Sequence, residues 1–434
     1  MARYEALRPV RMDRIAIVAP ESRFDAVLRL VADAGQVELD VAPDAPVREV
    51  AERAEVRDGV AAIAGWAPSA SVDRLAELVA AEGGSIVRLE RPRGVEVPSL
   101  LRGGEGVRGS LASLVTTYGA VPYTNLDPTP VAAAAYMLMF GAMFGDVGHG
   151  LVLIAAAIAL RLGRPRRLAR FRRAWPFALG AGAASVFFGL LYGEAFGPTG
   201  LVPVLWLEPL EHPIPLLLAA LGMGACLLGV AYLLGTINRM REGGLRLALY
   251  SPAGIAGSAV FFGLGLVAGG WYLGLPWLAA GGGALALAGL VLAFGGFLAE
   301  AGGGAAGVAQ AAMEVFDVLV SLGSNVASFA RLAAFGLTHA AIGSIVWQGA
   351  SGLWPGNPVG AVAVFVAGNA VALTLEGLVV GVQALRLEYY ELFSRIFQVE
   401  GRPFRPWHIP LTSKETVPCP YGSGEGSTSS TSAS

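Results

Sequence analysis

Two runs of polar residues, set into otherwise apolar sequence, carry the residue types that could do chemistry. In the first, Glu314, Asp317, Ser321, Ser324 with Asn325, Ser328, Arg331, and Thr338 with His339 recur at helical steps. On a helix, spacings of three and four gather such residues into one stripe. In the second, Asn369, Glu376, Gln383, Arg386 and Tyr390 follow at steps of seven, seven, three and four. An arginine inside a bilayer is costly and normally faces a partner or water. One or two charge pairs suffice to pin helices together, whereas a polar stripe along a whole span suits a path for an ion.

Depth sharpens that reading. If the two helices run in opposite directions, Arg331 and Arg386 lie at similar depth. His339 is then ~12 Å and Glu376 ~15 Å toward one side, with Glu314 ~25 Å toward the other, at the helical rise. Titratable groups toward each side with fixed cations between them are what two offset half-channels need. Arginine suits the barrier because it stays charged, whereas a buried lysine can neutralise. A third candidate is Asp146 in Gly145-Asp146-Val147-Gly148-His149-Gly150. It reads either as lining an outer vestibule or as a helix cap, and His149 between its glycines reads as a packing or turn residue. His212 and His408 fall in loops and receive no role.

The elements that must position these residues follow from composition. The chain has 434 residues, 54% hydrophobic and 15% charged, with a mean hydropathy of +0.58. Soluble domains carry about a quarter charged residues, so this is expected to be an integral membrane protein. A net charge of −2 gives no basic field for nucleic acid. Two cysteines, Cys226 and Cys419, make neither a disulfide framework nor a metal motif. No cofactor or metal is expected.

Charge is unevenly placed: residues 1–128 hold 34 charged side chains and residues 129–434 hold 30. The change falls at Asp127-Pro128-Thr129-Pro130, where two prolines stop regular structure. We expect a cytoplasmic α/β domain over 1–128, a transmembrane domain over 129–407, and a disordered Ser/Gly/Thr-rich tail over 408–434. In the first, Arg14–Val18 reads as a strand, Ser22–Ala34 as a helix ended by Gly35, and Val37–Val41 as a second strand. A similar unit follows, with strands near Val60–Trp66 and Ser85–Leu89 around a helix over Ser71–Glu82. No export signal is expected ahead of them.

Seven apolar stretches follow, at about 131–160, 174–196, 214–237, 251–273, 275–299, 305–349 and 359–397. Arg161, Arg164, Arg166, Arg167, Arg170, Arg172 and Arg173 follow the first stretch and should be cytoplasmic. Both ends of that stretch then lie on one side, so it is expected to be a hairpin. Arg239, Arg241 and Arg246, and Arg395, Arg402 and Arg405, fall on the same face, while the remaining loops lack basic residues. The expected fold is therefore mainly α: eight membrane helices, the seventh and eighth long, preceded by the small α/β domain. Both termini are cytoplasmic, in a membrane expected to be a prokaryotic plasma membrane.

Three motifs carry a resemblance. They are Phe140-Gly141-Ala142-Met143-Phe144-Gly145-Asp146-Val147-Gly148-His149-Gly150, then Ser324-Asn325-Val326-Ala327-Ser328-Phe329-Ala330-Arg331-Leu332 continuing to Leu337-Thr338-His339, and Leu375-Glu376-Gly377-Leu378 through Gln383-Ala384-Leu385-Arg386-Leu387. Together with Gly401-Arg402-Pro403-Phe404-Arg405-Pro406, they resemble the membrane a-subunit of V-type and A-type rotary ATPases, also called subunit I. The resemblance covers about 110–407. It implies a non-catalytic stator subunit that gives two half-channels to a rotating proteolipid ring and couples proton or sodium transport to ATP hydrolysis or synthesis.

In that family's arrangement Arg331 faces the ring and Arg386 is its companion. His339, Glu376 and Asp146 would serve the external half-channel, and Glu314, Ser321, Asn325 and Ser328 the cytoplasmic one; Gln383 lies on the Arg386 stripe. An ionised ring carboxylate beside the arginine has its pKa lowered and gives up its proton. Implied partners are the ring, the peripheral stalk and other ATPase subunits, and lipid, with no nucleic acid. One departure stands out: only about Pro46–Asp58 separates the second strand from the next unit, where the family carries a long helical hairpin, so the arm is expected to be cut to its base. Alternative readings are a proton-coupled secondary transporter, which should show internal repeats that are not seen here, or the same fold reused in a non-ATPase membrane complex.

Overall fold

The computed structural model describes residues 8–92, 95–101, 107–163, 171–397 and 401–409. The chain divides into two compact units, one of residues 12–93 with 405–434, the other of residues 1–11 with 94–404.

The smaller unit is built on period-two alternation. Strand β1 (Met12–Pro20) buries Ile15, Ile17 and Ala19 on one face. Helix α1 (Glu21–Ala34) lays Phe24, Val27, Leu28 and Val31 against them. It stops at Gly35, whose φ of 59° lets its N–H turn back to the Val31 and Ala32 carbonyls, as a left-handed C-cap does. Next come β2 (Glu38–Leu39), α2 (Val47–Glu52), β3 (Glu55–Arg57), β4 (Val60–Pro68), α3 (Val72–Ala81) and β5 (Ser85–Leu89). The sheet runs β2-β4-β1-β5, with β3 also on β4, and every pairing is antiparallel. This is the split β-α-β arrangement of two interleaved units.

Strand β2 is shorter than the five residues expected. The Val37 carbonyl accepts from the Trp407 N–H at 2.8 Å instead of from the sheet. The Trp407 indole, fully buried, donates to the Ala45 carbonyl at 2.9 Å. Between β2 and β4 there is only the six-residue α2 and the three-residue β3, so no long helical hairpin lies in that segment.

The larger unit is helical. It comprises α4 (Val107–Tyr118), α5 (Thr129–Met143), α6 (Val147–Arg161), α7 (Trp175–Tyr192), α8 (Pro213–Tyr250), α9 (Ile255–Tyr272), α10 (Pro276–Glu300), α11 (Gly304–Ser328) and α12 (Ala330–Leu353). The last apolar stretch is one helix that changes pitch twice: α13 (Pro358–Val371), a π-helical turn Ala372–Glu376, α14 (Gly377–Leu387), a second π-helical segment Glu388–Phe393, and α15 (Ser394–Ile396).

Among the described residues six helices are long and apolar enough to cross a membrane, with α11–α12 and α13–α15 each counting as one. The pair α5 and α6 are 15 residues each, ~22 Å at the helical rise and short of a ~30 Å core. Here the apolar stretch at 131–160 is two short helices, and the chain reverses between them. Against α7, Met137 meets Gly180 and Gly141 meets Ala184 in parallel order, whereas Val147 meets Gly189 and Ile154 meets Gly182 in antiparallel order.

One topological detail differs from expectation. Arg239, Arg241 and Arg246 lie within helix α8 rather than in a loop. The helix breaks at Gly244, where φ is 71°, and Arg239 is buried and paired to Glu242 at 2.7 Å. Arginine and leucine are good helix formers, so helical structure carries Arg239 and Arg241 up to that break and Arg246 beyond it. Arg164, Arg166, Arg167 and Arg170, and the tail from 410 to 434, lie outside the described residues.

Candidate functional site

The chain reversal between α5 and α6 builds the first part of the site. Asp146 caps α6: its Oδ1 accepts the His149 N–H at 2.8 Å, which answers one of the amides left open at a helix start. Its Oδ2 accepts the Gly197 N–H at 3.0 Å from the segment after α7. Glycines make the close approach possible. A Cβ at Gly148 would sit 2.4 Å from the Phe196 ring, and one at Gly145 2.6 Å from Tyr192. Asp146 and His149 are both essentially inaccessible to solvent.

Helix α12 and the last helix bring the second part. His339 on α12 meets Glu376, His339 Nδ1 lying 2.5 Å from Glu376 Oε2. Glu376 ends the π-helical turn Ala372–Glu376. A π turn rotates side chains relative to a regular helix and recurs at functional positions, and here it lies where the carboxylate meets the imidazole. The His339 ring packs tilted against Phe144, with centroids 4.5 Å apart, and lies 5.5 Å from the His149 ring. Asp146, His149, His339 and Glu376 therefore form one cluster drawn from three segments, with Glu376 at its half-buried edge. Glu194, also buried, follows α7, and its carbonyl accepts the Val147 N–H at 2.9 Å.

A second cluster gathers around α11. With its amide oriented to satisfy both atoms, Asn325 donates to Glu391 Oε2 at 2.8 Å and to the Ser321 carbonyl at 3.0 Å, and accepts from Arg395 at 2.7 Å. Arg395 also reaches Ser321 Oγ at 3.3 Å and lies over the Tyr232 ring. Glu314 accepts from Gln310 at 3.0 Å one turn away, and Ser328 is half-buried on the final turn of α11. These four expected residues are not one contiguous group: Ser321 and Asn325 join the Glu391–Arg395 network, while Glu314 bonds within its own helix.

The two arginines stand apart. Arg331 is half-buried at the start of α12 and Arg386 is exposed near the end of α14. Among the described residues neither has an ion-pair or hydrogen-bond partner. Gln383 is half-buried and its Oε1 is likewise unpartnered. The helices that carry them are the least covered of the six: 17% and 11% of residues are buried in their apolar windows, against 28–33% in the others. Leu375, Leu378, Val382 and Tyr390 are exposed on the same final helix. A charge on an apolar span is expensive unless it meets a partner or water.

Sequence reasoning assigned no role in ion passage to His149, Glu194, Glu388, Glu391 or Arg395. His149 was expected only to pack; it does pack, between Phe144 and Phe196, and it also faces His339. Glu388 is fully buried, and neither carboxylate oxygen has a hydrogen-bond partner. The available signal was two acids, Glu388 and Glu391, placed inside an otherwise apolar stretch.

Comparison with known proteins gives a consistent result. The model of the V-type ATPase 116 kDa subunit family matches residues 60–201, which span the end of the α/β unit, α5–α7 and the Asp146 motif. A-type ATP synthase subunit I of Pyrococcus horikoshii is 28% identical over 361 residues, covering 79% of this chain and 53% of that protein. The Archaeoglobus fulgidus subunit I is 29% identical over 410 residues, covering 80% and 58%. V-type ATP synthase subunit I 2 of Treponema pallidum is 38% identical over 144 residues, covering 31% and 32%. The chain thus spans about half the length of the curated relatives it matches. The match to the V-type ATPase 116 kDa subunit family lies in residues 60–201, and similarity to A-type ATP synthase subunit I extends over about four-fifths of the chain.

Proposed function

We propose that this chain is the stator a-subunit of a rotary ATPase, non-catalytic itself, which passes protons or sodium ions to and from a proteolipid ring. The observation that carries this is the pair of arginines, Arg331 and Arg386, without a partner among the described residues, on the two least covered of the six membrane-length helices. A packing role for them would need carboxylates within the chain. A ring whose carboxylates arrive from the lipid side supplies those partners in passing, which is what a rotary exchange requires.

In this reading eight helices cross the membrane, α5 and α6 as a short hairpin where the bilayer thins, and both termini are cytoplasmic. The domain at 1–128 is the reduced base of the stator arm, the channel domain is 129–407, and 408–434 is a tail. Asp146, His339 and Glu376 serve the external half-channel. The His339–Glu376 hydrogen bond offers a contact across which a proton passes between imidazole and carboxylate. Ser321, Asn325, Ser328 and Glu314 line the approach from the cytoplasm, joined by Glu391, while Gln383 lies on the Arg386 stripe. Arg331 and Arg386 lower the pKa of an arriving ring carboxylate and block direct leakage between the two paths. The short segment between β2 and β4 leaves stalk attachment to the small sheet unit itself.

The test is ATP-driven acidification of vesicles holding the assembled complex. Arg331→Ala should abolish it while the complex still assembles, and Glu376→Gln should slow it. Normal acidification by Arg331→Ala vesicles would refute the reading.

A further inference from the structure

Asp146, His149 and His339 come from positions up to 193 residues apart. Yet each offers a ligand atom within 4.8 Å of those of the other two, and all three are buried. We propose that this trio binds one borderline divalent transition-metal cation, with Zn²⁺ as its leading occupant.

The donor set selects the class of metal. Two imidazoles and one carboxylate suit Zn²⁺ and its Co²⁺ and Ni²⁺ neighbours, whereas Ca²⁺ and Mg²⁺ want six or more oxygens. His149 Nδ1 lies 3.5 Å from Asp146 Oδ1, close to the ~3.3 Å between ligand atoms in a tetrahedral zinc site. The His339 ring is the member that moves inward to complete the set. Three protein donors leave a fourth position for water, the open arrangement of non-structural zinc sites.

Two further observations point to a ligand. Both ring nitrogens of His149 are buried with no hydrogen-bond partner. An unanswered buried polar atom costs about 1–3 kcal/mol, and coordination answers one of them. In addition, Glu376 grips His339 Nδ1, which leaves the lone pair on Nε2. That carboxylate–histidine pairing is the outer-shell device that fixes tautomer and ring direction at zinc. Asp146 remains able to coordinate despite its two amide bonds, because each carboxylate oxygen keeps a second lone pair. Phe144 and Phe196 hold the His149 ring from two sides, with centroids at 5.4 and 5.3 Å.

Binding stands on this geometry alone. Its consequence rests on the external half-channel reading: a cation held by His339 removes that imidazole from the proton path, so Zn²⁺ would inhibit transport.

The experiment uses the purified full chain in detergent, freed of metal with a chelator and titrated with Zn²⁺ by calorimetry and with Co²⁺ by visible absorption. One equivalent should bind, and Co²⁺ should give the intense visible bands of a tetrahedral site. His149→Phe keeps the ring packing and removes both nitrogens, so binding should fall to background. Glu376→Gln, outside the coordination sphere, should weaken binding about 10- to 100-fold. Absence of stoichiometric binding by the unaltered chain overturns the proposal without recourse to any variant, and so does undiminished binding by His149→Phe. Acidification assays with Zn²⁺ separate the two claims. If Zn²⁺ binds at the site but leaves pumping unchanged, the metal site stands and the half-channel role of His339 fails.

Discussion

Breaking the His339–Glu376 contact gives a sharp quantitative test of the buried cluster. The side chains are 4% and 16% exposed, so solvent screens the contact little. Glu376 Oε1 has no partner, which leaves the 2.5 Å bond to His339 as the carboxylate's anchor. Hydrogen bonds involving a charged group contribute about 1.5–3 kcal/mol. His339→Ala also removes ring packing against Phe144 and His149, so its single cost should exceed that of Glu376→Gln. A double-mutant cycle cancels that packing loss and isolates the pair. Denaturant unfolding of His339→Ala, Glu376→Gln and the double variant, followed by circular dichroism in detergent, should give a coupling of about 1.5–3 kcal/mol. Additivity within about 0.5 kcal/mol would refute the pairing.

Three other substitutions probe the surrounding structure. Asp146→Ala leaves the buried His149 and Gly197 amides unanswered and should destabilise by about 2–6 kcal/mol, while Asp146→Asn, keeping one acceptor oxygen, should cost about half; equal midpoints in thermal unfolding would contradict the two-amide account. Gly148→Ala drives a methyl into Phe196 and should cost about 1–3 kcal/mol, read as a lowered unfolding temperature. In the small unit, Trp407→Ala should cost about 3–5 kcal/mol and Trp407→Phe about 1 kcal/mol, read as the rate of limited proteolysis within 12–93.

What was legible in the sequence followed from periodicity. Phe24, Val27, Leu28 and Val31 repeat at helical spacing, and Gly35 ends the helix because it alone there takes a positive φ without penalty. The polar residues on α11, α12 and the last helix were legible for the same reason. Helical spacing places a residue on a face but not against its neighbour. His149 therefore read as a turn residue, because the ring it faces, His339, lies 190 positions on. The π turn that includes Glu376 leaves the sequence spacing unchanged and was invisible. Arg395 read as one more cytoplasmic loop charge, although its guanidinium reaches back to Ser321 and Asn325. Strand β2 read as five residues by alternation, but Trp407, supplied from the far end of the chain, takes the Val37 carbonyl.

The central claim is that the uncovered face with Arg331 and Arg386 docks on a proteolipid ring. It is tested most directly by placing the photo-crosslinking residue p-benzoyl-phenylalanine at Val382, exposed beside Arg386, and at Val291, exposed on α10, in native membranes. The account predicts that the probe at Val382 links to the proteolipid and the probe at Val291 does not. Lipid adducts alone at Val382, with the complex intact, would contradict it.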